Sequence, residues 1–366
     1  MPEHTLTRHE LNRALLARQM LLQRETLSSL AAIERLVGMQ AQTANAPYIG
    51  LWSRLQGFQR DNLSQLLRER QVVRATLMRS TLHLFTADDY IAFRHTLQPA
   101  LTRALGAFFG QRAKKLDIPG IVAVAHASVA EQPRTFVELR ATLSKRFPDT
   151  EPELLAYLVR THLPLVQVPP AGLWGMGGSP AHALAEDWLG SPLEKEDKTN
   201  LLIRRYLAAF GPASVADAQA WSGLTGLRSA FMALRPELVV YRDERGADLF
   251  DLPDAPLPSP EITAPVRFLP EFDNLILSHA DRTRVIADEH RSRIFLSVGR
   301  VRATFLVDGF VAGAWKTERE RATARLIMEP FNSLPAEAQE ALAEEGAQLL
   351  RFIEPDATTY DTQFRA

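Results

Sequence analysis

Read as a pattern of apolar and polar positions, the chain divides most clearly at Leu252–Pro265 (LPDAPLPSPEITAP). Prolines there can neither continue a helix nor donate regularly to a ladder, which predicts a linker. A lesser break falls near Gly190–Asp197. Upstream, one pattern recurs: helical periodicity, helical periodicity again, then two short β-prone runs around a turn. Thr135 is placed to cap a helix over 136–146, and Thr150 with Glu153 has capping-box spacing for 151–162. Strands over 165–168 and 172–174 follow, joined by Pro169-Pro170-Ala171. The next copy predicts helices over 199–209, 215–222 (capped by Ser214) and 226–235 (led by Thr225). It closes with strands over 238–242 and 247–251, bridged by the turn residues Asp243–Gly246. The first 98 residues take the same reading with helices over 6–22, 28–38, 44–55 and 61–70, closed by VVRATLM and TLHLF.

Helix–turn–helix followed by a β-hairpin is the winged-helix plan. The expected fold is therefore α+β, with three tandem winged-helix units over 1–98, 99–192 and 193–252. A linker over 253–265 leads to a β-rich C-terminal domain over 266–366. That last domain reads as β-prone runs (VRFL, RIFLSV, ATFLVDGFVAGAW, TARLIMEPF), a helix over 336–346 and a final short strand. Asp308-Gly309 between two apolar runs is a hairpin signal.

The absence of cysteine excludes disulfides, thiolate zinc sites, iron–sulfur clusters and Cys nucleophiles. The nine His form no H-E-x-x-H pair, so neither a metal nor another cofactor is expected. No run reaches the ~18–20 apolar residues of a membrane span. The N-terminus also lacks the basic-then-apolar layout of a signal peptide, which predicts a cytoplasmic protein. Net charge is −1, but residues 1–120 hold 16 Lys+Arg against 9 Asp+Glu, so the basic excess is concentrated in the first third. Arg outnumbers Lys 36 to 6, a bias that GC-rich coding explains as readily as phosphate binding does. The asymmetry along the chain is not explained that way.

Three clusters could carry chemistry. Gln40-Ala41-Gln42 is expected in the loop between Gly38, which stops one helix, and Pro47, in the first turn of the next. Positions i and i+2 of an extended segment point the same way, so both amides could hold one water; capping of helix ends is the bland alternative. Arg74, Arg79, Thr81 and His83 form the second cluster, with Thr81 and His83 on one strand face. They suit phosphate or ribose contact as well as structural hydrogen bonding. The third, in PEFDNLILSHADRTRVI, sets Asp273, His279, Asp281, Arg282 and Arg284 in a loop-rich stretch without a nucleophile elbow. Two decoys are set aside. Gly175–Gly178 lacks the Lys-Ser/Thr of a P-loop, and Leu116–Ile121 lacks the second glycine of a DNA-binding hairpin.

Taken in order, GMQAQ…YIGLWSRL, RxxxxRSTLHLF, LPEFDNLILSHADRTRVI and LVDGFVAGAW resemble the winged-helix DNA glycosylases of the AlkZ/YcaQ group over nearly the whole chain. The resemblance implies a C-shaped channel for duplex DNA, a monomer, and excision of N7-alkylguanine-type lesions or interstrand crosslinks to leave an abasic site. It also implies a repair or antibiotic self-resistance role. Gln40 and Gln42 match the catalytic Gln-Φ-Gln motif of the AlkZ-like branch, with a small Ala41 at its centre. Asn45, Arg54, Arg74, Arg79, Thr81, His83, His279, Asp281, Arg282 and Arg284 are the candidates for DNA or substrate contact. A lesion-probing β-hairpin is expected within 282–300. The competing readings are a winged-helix regulator without chemistry and a non-catalytic lesion binder.

Overall fold

The structure, a computed structural model, describes residues 5–365. Helices Thr199–Phe210, Val215–Ser222 and Arg228–Leu234 precede a hairpin of strands Val239–Asp243 and Asp248–Asp251, as the apolar periodicity predicts. Ser214 caps the middle helix through a reciprocal box with Asp217. The N-terminal strand Thr5–Leu6 adds to that hairpin in parallel, and helix Arg8–Arg18 packs on helix Thr199–Phe210. Residues 5–18 are thus built into the third unit.

The hairpins of the first two units merge into one antiparallel sheet. Its order is Met39–Gln40, Leu82–Thr86, Val72–Thr76, Leu165–Gln167, Ala181–Leu184, Arg134–Thr135. Arg74 lies opposite Gln167 where the two units join. Segment 172–174, expected as a strand, is a turn: Leu173 and Trp174 pack into the apolar cluster around Tyr48, and Ala181–Leu184 takes the pairing position. Thr135 caps its helix as expected, through a reciprocal box with Glu138, whereas helix Pro152–His162 starts at Glu151 with no side-chain cap, so the Thr150–Glu153 box does not form. Helices Gln98–Phe109, Gln111–Lys114 and Ile118–Glu131 complete the second unit.

In the C-terminal unit, strands Arg267–Leu269, Thr304–Val307, Phe310–Glu320, Thr323–Pro330 and Thr359–Phe364 form a five-stranded sheet backed by helix Ala336–Ile353. Asp308-Gly309 makes the expected tight turn. RIFLSV is not a strand: helix Arg291–Ile294 and a 3₁₀ turn at Ser297–Gly299 occupy it, with Ile294 buried in the main core. Segment 282–300 consists mostly of short helical turns, and its hairpin-like part is confined to an antiparallel bridge, Phe295 with Val301, flanked by Leu296 N–H to the Arg300 carbonyl at 2.9 Å and Arg302 N–H to the Ile294 carbonyl at 3.1 Å. The long hairpin of this unit is Phe310–Glu320 with Thr323–Pro330. The proline-rich linker is strapped down by carbonyls, Pro256 accepting from Arg18 at 3.1 Å and Ile262 from Arg13 at 2.6 Å.

Candidate active site

Gly38 ends the approach of helix Ser29–Arg35 with φ +82°, and a Cβ there would run into the Phe85 ring. The chain then pairs along Leu82–Thr86, with Met39 opposite Leu84 and Gln40 opposite His83, and Ala41 N–H donates to the Leu82 carbonyl at 2.8 Å. The first part of the expected loop is therefore a short edge strand, Met39–Gln40, while Gln42 lies in the loop that follows. Periodicity could not show it, because the partner lies some forty residues downstream. At Gln42 the backbone leaves the sheet, and the Gln42 side chain takes over the pairing: its Oε1 accepts from Leu82 N–H at 3.1 Å. Gln40 is nearly buried and Gln42 is exposed.

Both amides are held by donors. Arg79 donates to Gln40 Oε1 at 2.7 Å and to the Trp221 carbonyl of the third unit. Arg79 and Ser80 both have left-handed φ, +53° and +59°, an uncommon pair for non-glycine residues. Burial, with Arg282 nearby, lowers the Arg79 pKa to about 10, which leaves it cationic at neutral pH. His83 is fully buried, and its Nδ1 lies 3.0 Å from the Thr81 carbonyl. Only an N–H can face a carbonyl there, so Nε2 is the acceptor that meets Arg79 at 3.4 Å. Burial and the Arg79 charge depress His83 to about 3, so it is neutral and orients Arg79. Thr81 donates to the Met78 carbonyl at 3.1 Å and closes the same turn.

Arg74 holds the backbone of the motif. It donates to the carbonyls of Ala41 at 2.9 Å and Gln42 at 3.3 Å, and to Gln167 Oε1. Beneath it, Asn274 accepts from Gln40 N–H at 3.2 Å and donates to the Gly38 carbonyl at 2.9 Å. Asp273 forms two hydrogen bonds with Arg54, at 2.8 and 2.9 Å, both residues being buried. Arg54 is thus a strut inside the protein. Asn45 accepts from Gly175 N–H at 2.9 Å and ties down the Gly175–Gly178 loop.

The third cluster does not converge on the glutamines as a group. His279 is buried against the Phe210 carbonyl at 3.1 Å and depressed to about 3 by burial and Arg284. Arg284 donates to the Pro212 carbonyl at 2.8 Å, and Asp281 pairs with Arg245 at 2.7 Å. These residues join the third unit to the C-terminal one. Arg282 is the exception. Its guanidinium stacks on Phe295 at 4.6 Å, its Nε has no partner, and its charge is felt at Arg79.

Asn274, Asp273, Gln167 and Trp221 complete the site from remote segments. Only Asp273, in the LPEFDNLIL run, carried any local signal. A cavity of about 430 Å³ opens beside the loop after Gln42, lined by Thr43, Asn45, Met176, Glu271, Trp315 and Lys316. Lys316 is the one ammonium-bearing side chain in that lining. That ammonium pairs with Glu318 at 2.8 Å. Among the described residues no group of His, Asp and Glu is arranged to hold a metal ion.

The comparisons agree on one family. Residues 33–352 match the family model described as DNA glycosylase AlkZ-like. A curated relative from Streptomyces sahachiroi, named interstrand DNA cross-link repair glycosylase, is 26% identical over 363 residues, covering 91% of this chain and 93% of its own. The solved structure of Streptomyces sahachiroi DNA glycosylase AlkZ superimposes with a TM-score of 0.80 at 20% identity, over 99% of this chain and 100% of that one. The structural likeness shows the fold: tandem winged-helix units in a C-shaped arrangement with a β-rich C-terminal unit.

Proposed function

The chain belongs to the AlkZ-like DNA glycosylase family, and we propose that it hydrolyses the N-glycosidic bond of cationic N7-alkylguanine nucleotides in duplex DNA. The product is an abasic site, and no metal takes part. Gln40 and Gln42 position the attacking water. The observation that supports this is the pair of side-chain carbonyls at one strand edge, each aimed by a single donor, Arg79 or Leu82 N–H. Each oxygen keeps a second lone pair for a water.

Alkylation at N7 gives the base a positive charge, so it departs neutral and needs no general acid. This fits a site whose histidine, His83, is depressed to about 3 and carries no proton to donate at neutral pH. What remains is to hold water against C1′ and stabilise positive charge on the sugar. Fixed carbonyl dipoles supply that by proximity and preorganisation. The exposed Gln42 and the open cavity beside it suit adducts larger than methyl, including the interstrand crosslinks for which the curated relative is named.

The test is release of free base from duplexes carrying one N7-methylguanine, one bulky N7 adduct or one uracil, scored by alkali cleavage. Release from the two cationic substrates with none from uracil is expected. Equal rates on uracil would refute the leaving-group argument.

A further inference from the structure

Between Asp89 and Asp117 the chain runs for 27 residues with five Arg or Lys and no Asp or Glu. Arg94 is buried, but Arg103, Arg112, Lys114 and Lys115 reach solvent on helices Gln98–Phe109 and Gln111–Lys114 and just beyond. At the end of the first helix stands Phe108, 67% exposed, the most exposed large apolar side chain among the described residues. Its helix turns Leu101 and Leu105 inward, and Phe109 is half-buried. The exposed residues nearest to Phe108 in the chain, Gly106, Ala107 and Gln111, are small or polar. Arg112 is paired with Glu151 at 2.8 Å, which leaves Arg103, Lys114 and Lys115 as the cations around a single apolar point, not the contiguous apolar patch that a protein partner requires.

The ring is also connected to the glutamines. Phe108 packs on Tyr157 with centroids 5.5 Å apart, and Phe109 and Arg160 support the same tyrosine at 5.2 and 4.1 Å. Tyr157 Oη lies 3.1 Å from Ser80 Oγ, and Ser80 follows Arg79, which holds Gln40 Oε1. Arg103, on the same helix, donates to the Gly223 carbonyl, and a Cβ on Gly223 would meet the Arg79 backbone at 2.9 Å. The exposed ring is thereby braced against the turn that aims the catalytic amide.

We propose that Phe108 is a wedge that enters the base stack of duplex DNA next to the nucleotide being excised. Arg103, Lys114 and Lys115 grip the flanking phosphates. A polyanion with stacked aromatic rings is the partner that matches both the charge and the lone phenyl. Unstacking at that step frees the damaged nucleotide to move toward Gln40 and Gln42. The inference rests on the glycosylase reading of the site.

The experiment uses the full chain and a duplex with 2-aminopurine beside a single N7-methylguanine, and beside an abasic analogue for binding alone. Wild type is expected to raise 2-aminopurine fluorescence on binding. Phe108→Ala should bind within about threefold of wild type, lose the fluorescence rise and release base at least about tenfold more slowly. Phe108→Trp should restore both. Lys114→Ala with Lys115→Ala should lower the slope of log affinity against log salt by about 2 without abolishing the fluorescence rise. Phe108→Ala with wild-type fluorescence and rate would overturn the wedge. If wild type freed no base while the fluorescence rise still depended on Phe108, the wedge would stand and the substrate assignment would fall. Circular dichroism of Phe108→Ala serves as the folding control, since the side chain is exposed.

Discussion

Replacing Arg54 decides whether the first motif is a DNA-contacting surface or an internal scaffold. Arg54 is 1% and Asp273 2% exposed, and they share two charge-assisted hydrogen bonds. Arg54 also donates to the Gly50 carbonyl at 3.0 Å, an oxygen that keeps its helical partner when the side chain is removed, so what Arg54→Ala strands is the buried Asp273 carboxylate. Breaking one side of such a pair costs about 3–5 kcal/mol, because the remaining charge keeps its desolvation penalty without its partner. Removing both charges avoids most of that penalty, so Arg54→Met with Asp273→Leu should lose much less than the two single changes added together. Chemical denaturation of all four proteins measures the coupling, and salt-dependent DNA binding of the folded variants measures any phosphate contact. A strut leaves the salt slope unchanged, whereas a phosphate contact lowers it by about 1. A loss below about 1 kcal/mol in Arg54→Ala with a lowered salt slope would refute the scaffold argument.

Three further outcomes follow from the same geometry. Asn274→Ala leaves Gln40 N–H and the Gly38 carbonyl unpaired in a buried place, at about 1–3 kcal/mol each, so both the denaturation midpoint and the rate of base release should fall. His83 and His279 are each depressed to about 3, below the ordinary value of about 6.5. The unfolded chain therefore binds more protons than the folded one below pH 6.5. The contribution of each histidine is intact above that pH and is lost by about 1.4 kcal/mol per unit as pH falls toward 3. Denaturation midpoints at pH 7.5 and 5.0 check this; equal midpoints would contradict it. Lys316 is paired with Glu318, so borohydride should trap no covalent complex with abasic DNA, and a trapped complex lost in Lys316→Ala would make the enzyme bifunctional.

The third unit was legible almost residue for residue, because Ser214 and the Asp243–Gly246 turn are local start and stop signals. The same holds for the Asp308-Gly309 hairpin. Helices Gln98–Phe109 and Ile118–Glu131 were not read, since glycine and proline interrupt their apolar periods and their burial comes from tertiary packing. RIFLSV misled because a buried apolar run has the same composition in a helical turn as in a strand. At the site, the Gln-x-Gln pair was visible in sequence as a motif. Its strand pairing with Leu82–Thr86, its Asn274 support and the inward use of Arg54, His279 and Arg284 were not, because each depends on a partner distant along the chain.

The most direct test compares single-turnover release of N7-methylguanine from duplex DNA by wild type, Gln40→Ala, Gln42→Ala and the double variant, with DNA affinity measured in parallel. If two oriented amides place the water, each single change should cost at least about a hundredfold in rate, and the double change little more than the worse single one, with affinity retained. A double variant that still frees the base at the wild-type rate would contradict the account.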